Sequence, residues 1–215
     1  VPSWAERPDT GLKMINARVE TAAEKPAFRR AFERYRCLII ADGFYEWRRR
    51  PGGPKQPFHI TRDDGAAFAF AGLWSIWHAP EGTQLRTCTI LTTAANSAIA
   101  PLHDRMPVIL SPDSETLWLH PGTPAPCLYA LLDGLDPSRT AVRPVATAVN
   151  DARYDGPECL AAPLEELARR VDQRWLDGAV ATVQITPADL AHWSSTFEAP
   201  GTEELSLFDK VYVGT

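Results

Sequence analysis

Apolar residues in the first three quarters of this chain fall into short runs separated by turn dipeptides, and few segments show a helical period. Residues 37–41 (CLIIA) form a short apolar run that predicts a strand, closed by the turn signal Asp42-Gly43. Residues 44–50 alternate and predict a second strand, and Pro51-Gly52-Gly53-Pro54 predicts a hairpin-like loop into a third at 56–61. Asp63-Asp64-Gly65 marks another turn before the apolar stretch 66–77. Further strands are expected at 85–93, 106–110 and 141–149.

Helical periods are fewer. Residues 25–35 (KPAFRRAFERY) place Phe28, Ala31, Phe32 and Tyr35 on one face, with Pro26 in the first turn. Ser111-Pro112-Asp113-Ser114 predicts the start of a helix carrying Leu117, Trp118 and Leu119, and 124–132 predicts one more. Residues 94–101 read as a short helix or turn, and 11–24 as an extended segment or loop. Strands joined by short turns, with helices interspersed irregularly, indicate an α+β fold with a largely antiparallel, barrel-like β core and flanking helices. The character shifts after residue 163. Helices are expected at 164–176 and 186–193, then a flexible tail, so the chain divides into a domain at 1–163 and an extension at 164–215.

The 215 residues suffice for one domain with a full core and a tail. No apolar run approaches the roughly 20 residues of a membrane span, and no signal-peptide pattern opens the chain, so no membrane partner and a cytoplasmic, nucleoid-associated location are expected. The opening Val1-Pro2-Ser3-Trp4 carries apolar side chains with nothing upstream to cover them, and is read as a truncated start. Cys37, Cys88, Cys127 and Cys159 form no CxxC pair, so no metal site is expected. Cys37 and Cys88 lie in apolar runs and read as buried, inert thiols. The net charge of −5 hides a split: residues 1–60 carry 12 Lys and Arg against 7 Asp and Glu, the rest 10 against 20. The basic part could face phosphates, or the split could be a solvated surface.

Three segments combine polar groups with apolar flanks in a way that a core does not require. They are MINARVET at 14–21, DGFYEW at 42–47 and PLHDRMP at 101–107. Each presents one group fit for hydrogen bonding or proton transfer: Asn16, Glu46 and His103. A carboxylate sharing a strand face with Phe44 tends toward a raised pKa and general acid–base work. Taken alone, Glu46 also fits an edge strand in water, and His103 a structural histidine.

The strings VPSWA, MINARVET, KPAFR, RCLIIADGFYEW, FAFAGLW, TCTILTTAAN, HDRMPVIL and VATAVND occur in this order from residue 1 to about 163. In order and spacing they resemble the SOS response-associated peptidase (SRAP) family. The resemblance implies a single-stranded-DNA protein, without a cofactor, that captures abasic sites in the DNA damage response. Its nucleophile is an N-terminal Cys exposed by self-processing, the peptidase activity of the family name. The Cys amine and thiol together convert the opened sugar aldehyde into a thiazolidine. This chain lacks that Cys and the segment after it, so as given it is expected to bind DNA without crosslinking.

By the same resemblance, Asn16 orients the sugar or the amine, Glu46 shuttles protons, and His103 stabilises the opened sugar oxygen. Arg18 and Arg105 bind phosphates. Trp4 and Trp47 stack bases. Thr92, Met106 and Pro107 line the DNA channel. Two other readings remain: a non-covalent single-stranded-DNA binding module, and a general cysteine peptidase, which lacks a suitable Cys here. In the tail, Glu204, Leu205, Ser206, Leu207 and Phe208 resemble a sliding-clamp binding pentapeptide, with Glu204 where Gln is usual.

Overall fold

The computed structural model describes residues 1–163. The two helices expected beyond residue 163 and the pentapeptide at 204–208 lie outside the described residues. In chain order the elements are β1 (Asn16–Arg18), α1 (Val19–Ala22), α2 (Arg29–Arg34), β2 (Arg36–Ala41), β3 (Phe44–Arg48), β4 (Gln56–Arg62), β5 (Phe68–His78), β6 (Gln84–Ala94), β7 (Arg105–Pro107), β8 (Ile109–Leu110), α3 (Pro112–Leu119), α4 (Ala125–Ala130) and β9 (Thr140–Pro144). Short 3-10 turns lie between some of them.

The strands make two sheets. The larger runs β1-β6-β5-β2, with β7 on β6 and β8 on β5; the smaller runs β3-β4-β9. Every pairing is antiparallel except β1 on β6. The α+β class and the largely antiparallel core are as expected, and the larger sheet curls into a half-barrel.

Strand alternation decides what each face does. Ala17, Leu38, Ala71, Leu73 and Leu91 point to one face of the larger sheet and pack with Phe32, Trp118, Leu128 and Leu132 from the helical side. Their neighbours, Cys37, Ile39, Phe70, Gly72, Ile90 and Asn16, point the other way. In register, Cys37, Gly72, Ile90 and Asn16 form one row across four strands. Gly72 is required there by space: a Cβ would sit 2.9 Å from Cys37 Sγ and 2.8 Å from Ile39 Cδ1. The smaller sheet reaches this second face through Phe44, whose ring meets Phe70 edge-on at 5.8 Å.

Several expected elements differ. Residues 11–24 contain β1 and α1, which are too short to show a period in sequence. Residues 106–110 form two strands rather than one, because Val108 is bonded to both sides: its N–H donates to Leu91 and its carbonyl accepts from Ala71. The last strand stops at Pro144, which has no N–H to extend a ladder, and a 3-10 turn at Thr147–Asn150 replaces its end. The strand begun at Phe44 stops at Arg48, and the helix expected at 25–35 is regular only over Arg29–Arg34. Ser111 caps α3 as its sequence suggests, accepting from Ser114 N–H. Gly43 serves less as a turn glycine than as a gap for His59, since a Cβ would lie 2.2 Å from His59 Nε2.

Buried Arg36 ties the helices to the sheet. Its Nε donates to Trp118 O at 2.6 Å, Nη1 to Phe32 O and Glu33 O at 2.8 Å, and Nη2 to His120 O at 2.8 Å. These carbonyls sit at or near the C-terminal ends of α2 and α3, where helices leave acceptors unpaired. Replacing Arg36 with Met strands them, and urea unfolding should show a loss of about 3 kcal/mol or more. A loss below about 1 kcal/mol, the range of a surface pair, would contradict this role.

Candidate active site

Each of the three polar segments is placed by its own local structure. Asn16 opens β1 and pairs with Ile90, so it shares the second face of the larger sheet. Glu46 is the third residue of β3 and lies opposite Phe58. It therefore shares a face with Phe44, Phe58 and Ile60, and this face packs on Ile99, Leu102 and Met106. His103 follows Leu102 directly. Its loop is built by Asn96, whose Oδ1 accepts from Ala98 and Ile99 N–H and whose Nδ2 donates to Leu135 O and Thr140 Oγ1. A backbone bond from Ala95 N–H to Asp104 O closes the loop.

Glu46 and His103 thus come within electrostatic reach of each other. Partial burial holds the Glu46 carboxyl above the usual carboxylate range; the His103 charge and the Trp47 N–H oppose the rise, and Asp104 adds to it. The His103 ring is half exposed, and its Nδ1 accepts the Arg105 N–H at 3.0 Å. In the neutral ring this leaves the proton on Nε2. A carboxyl reluctant to ionise beside an imidazole is an arrangement suited to moving protons near neutral pH. Asn16 is exposed on the face that Phe44 packs against, beside exposed Arg18.

The other expected residues divide. Trp4 is 60% exposed and lines a groove of about 570 Å³ with Arg30, Tyr35, Trp74 and His78. Trp47 is half-buried, its indole N–H donating to Asn150 Oδ1 at 2.7 Å. Thr92, half-buried, pairs with Arg18 on one side and Pro107 on the other. Met106 is a correction: at 1% exposure it is a core residue beneath the site and offers nothing to DNA. Arg105 is another. Its guanidinium is occupied by Glu20, Nη1 to Oε1 at 2.5 Å and Nη2 to Oε2 at 2.9 Å, and Nη2 also donates to Thr92 O. Cys88 is exposed rather than buried, whereas burial, with Cys88 nearby, pushes the Cys37 thiol up to about 11.

Glu20, Asn96 and Asn150 were not singled out from sequence, although each lies inside a motif string. A charged or amide residue one turn or strand from a functional group was the available signal. Among the described residues, no group of three or more His, Cys, Asp or Glu side chains converges as a metal site would need.

Comparison with known proteins agrees with the motif order. The family model for SOS response associated peptidase (SRAP) matches residues 1–152. The abasic site processing protein YoqW of Bacillus subtilis is 44% identical over 161 residues, covering 74% of this chain and 72% of the relative. The abasic site processing protein YedK of Escherichia coli is 33% identical over 163 residues, covering 74% and 70%. Among solved structures, a protein from Bacteroides thetaiotaomicron superposes with a TM-score of 0.68 at 27% identity, covering 75% of this chain and 73% of the other.

The raised Glu46 carboxyl has a consequence for stability. A group with a raised folded-state pKa contributes stability that is fully present below its unfolded pKa and lost as pH rises through the folded value. At pH 7 the charge of Glu46 is therefore a liability. Glu46→Gln should melt at a higher temperature than the parent chain at pH 7, with the difference shrinking toward pH 4. A lower melting temperature for the variant at pH 7 would contradict the assigned shift.

Proposed function

Because the chain belongs to the SOS response associated peptidase (SRAP) family, we propose that it processes abasic sites in single-stranded DNA, with Glu46 and His103 as its proton-transfer pair. The observation that carries this reading is the half-buried, charge-averse Glu46 carboxyl next to His103. It is supported by the relatives named for abasic site processing.

An abasic sugar in its open form presents an aldehyde. An N-terminal amine adds to the aldehyde carbon, and loss of one water gives an imine. The thiolate of the same residue then adds to the imine carbon, and the nitrogen takes up a proton, closing a thiazolidine. The net change is aldehyde plus aminothiol to ring plus water. Glu46 gives and recovers the protons of the carbinolamine step, and His103 Nε2–H donates to the sugar hydroxyl freed by ring opening. Asn16 holds the sugar or amine by hydrogen bonds. Arg18 neutralises a flanking phosphate, while Trp4 and Trp47 offer ring faces to bases.

The chemistry calls for an N-terminal Cys ahead of Val1, released by self-processing. Mixed with an oligonucleotide bearing one abasic site, that form should give an adduct that survives a denaturing gel, and intact DNA should give none. The form beginning at Val1 has an amine with no thiol beside it and should bind without that product. In the Cys form, Glu46→Gln should slow adduct formation by roughly 10²-fold or more. Absence of any adduct in the Cys form would leave only a non-covalent single-stranded-DNA binding module. The cytoplasmic location belongs to this same reading.

A further inference from the structure

The Arg105 guanidinium is only 18% exposed, with both of its terminal nitrogens spoken for. A phosphate ligand should be free to turn toward DNA, and this one is clamped between a carboxylate and the backbone of β6. The clamp joins two of the three site segments. Glu20 lies in the first turn of α1, immediately after the strand that carries Asn16 and Arg18. Arg105 lies two residues beyond His103, and its backbone holds the ring from both directions. Its N–H donates to Nδ1 at 3.0 Å, and its carbonyl lies 3.1 Å from the same nitrogen. One backbone unit therefore offers a donor to the neutral ring and an acceptor to the charged one, so the ring can stay in place while its proton comes and goes. The Arg105 bond holds Glu20 below the usual carboxylate range, which keeps the clamp charged at neutral pH.

We propose that Glu20 is a positioning residue for His103, acting through Arg105, and that Arg105 is a strut rather than a phosphate ligand. This rests on the reading of His103 as a proton-transfer group. Glu20 touches no reacting atom. It fixes the Arg105 side chain against Thr92 and, through it, the backbone that sets which nitrogen of His103 faces the sugar. Arg18, exposed on the neighbouring strand, is left as the phosphate ligand of this pair.

The test compares Glu20→Gln, Arg105→Lys and Arg18→Gln in the N-terminal Cys form, with circular dichroism to check folding. With intact single-stranded DNA, Arg18→Gln should reduce the slope of log affinity against log salt by about 0.7, one phosphate contact, and the other two variants should leave it unreduced. At saturating abasic DNA, Glu20→Gln and Arg105→Lys should slow adduct formation by roughly ten- to a hundredfold, as expected for a displaced catalytic group. Nitrogen NMR of His103, which needs no DNA, should find the neutral ring protonated on Nε2 in the parent and a mixture of tautomers in Glu20→Gln. If the parent forms no adduct, the abasic-site reading fails, and the NMR comparison still decides the role of Glu20. An unchanged tautomer in Glu20→Gln, or a salt slope for Arg105→Lys that falls as it does for Arg18→Gln, overturns the proposal.

Discussion

The architecture depends on one constraint: strand β6 is paired on both sides along its C-terminal half, and its side chains must alternate. Leu91 has to face the helices, where it is fully buried with Ala17 and Val108. Ile90 and Thr92 must then face the opposite way, and with them go their partners Asn16 and Arg18. A slip of one residue would bury Asn16 and Arg18 in the apolar core and expose Leu91. The burial that stabilises the sheet is therefore also what presents the polar groups.

The second sheet meets that face through Phe44, and this contact brings Glu46 in. Phe44 packs toward Phe70 on one side and toward Leu102 and Met106 on the other. Glu46, two residues further along β3, lands at the margin of this contact, too deep to be freely hydrated and too shallow to be neutral by necessity. Its perturbed carboxyl is a product of packing, and so is its proximity to His103. The stability it forgoes at neutral pH is the usual mark of a group retained for chemistry.

Much of this was legible in the residues, and the reasons for the exceptions are physical. The strand alternation at 37–41, 44–48 and 85–93 and the Ser111 cap are local signals, and they match the structure. The importance of Asn16, Glu46 and His103 came through motif order, because three segments distant in sequence carry no local sign that they meet. Met106 and Arg105 were assigned to DNA from neighbourhood alone. Sequence could not tell that Met106 fills the core under the loop, nor that Glu20, 85 residues earlier in the chain, occupies the Arg105 guanidinium. The parallel pairing of β1 was hidden as well, since a three-residue strand shows no period and parallel partners need a long connection.

The central claim is that an amide, a carboxyl and an imidazole from three segments act on one sugar. A crystal structure of the N-terminal Cys form bound to single-stranded DNA with an abasic site tests it directly. The account predicts the opened deoxyribose within hydrogen-bonding distance of Asn16, Glu46 and His103 together. A sugar seated elsewhere, with Glu46 and His103 facing only solvent, would contradict it.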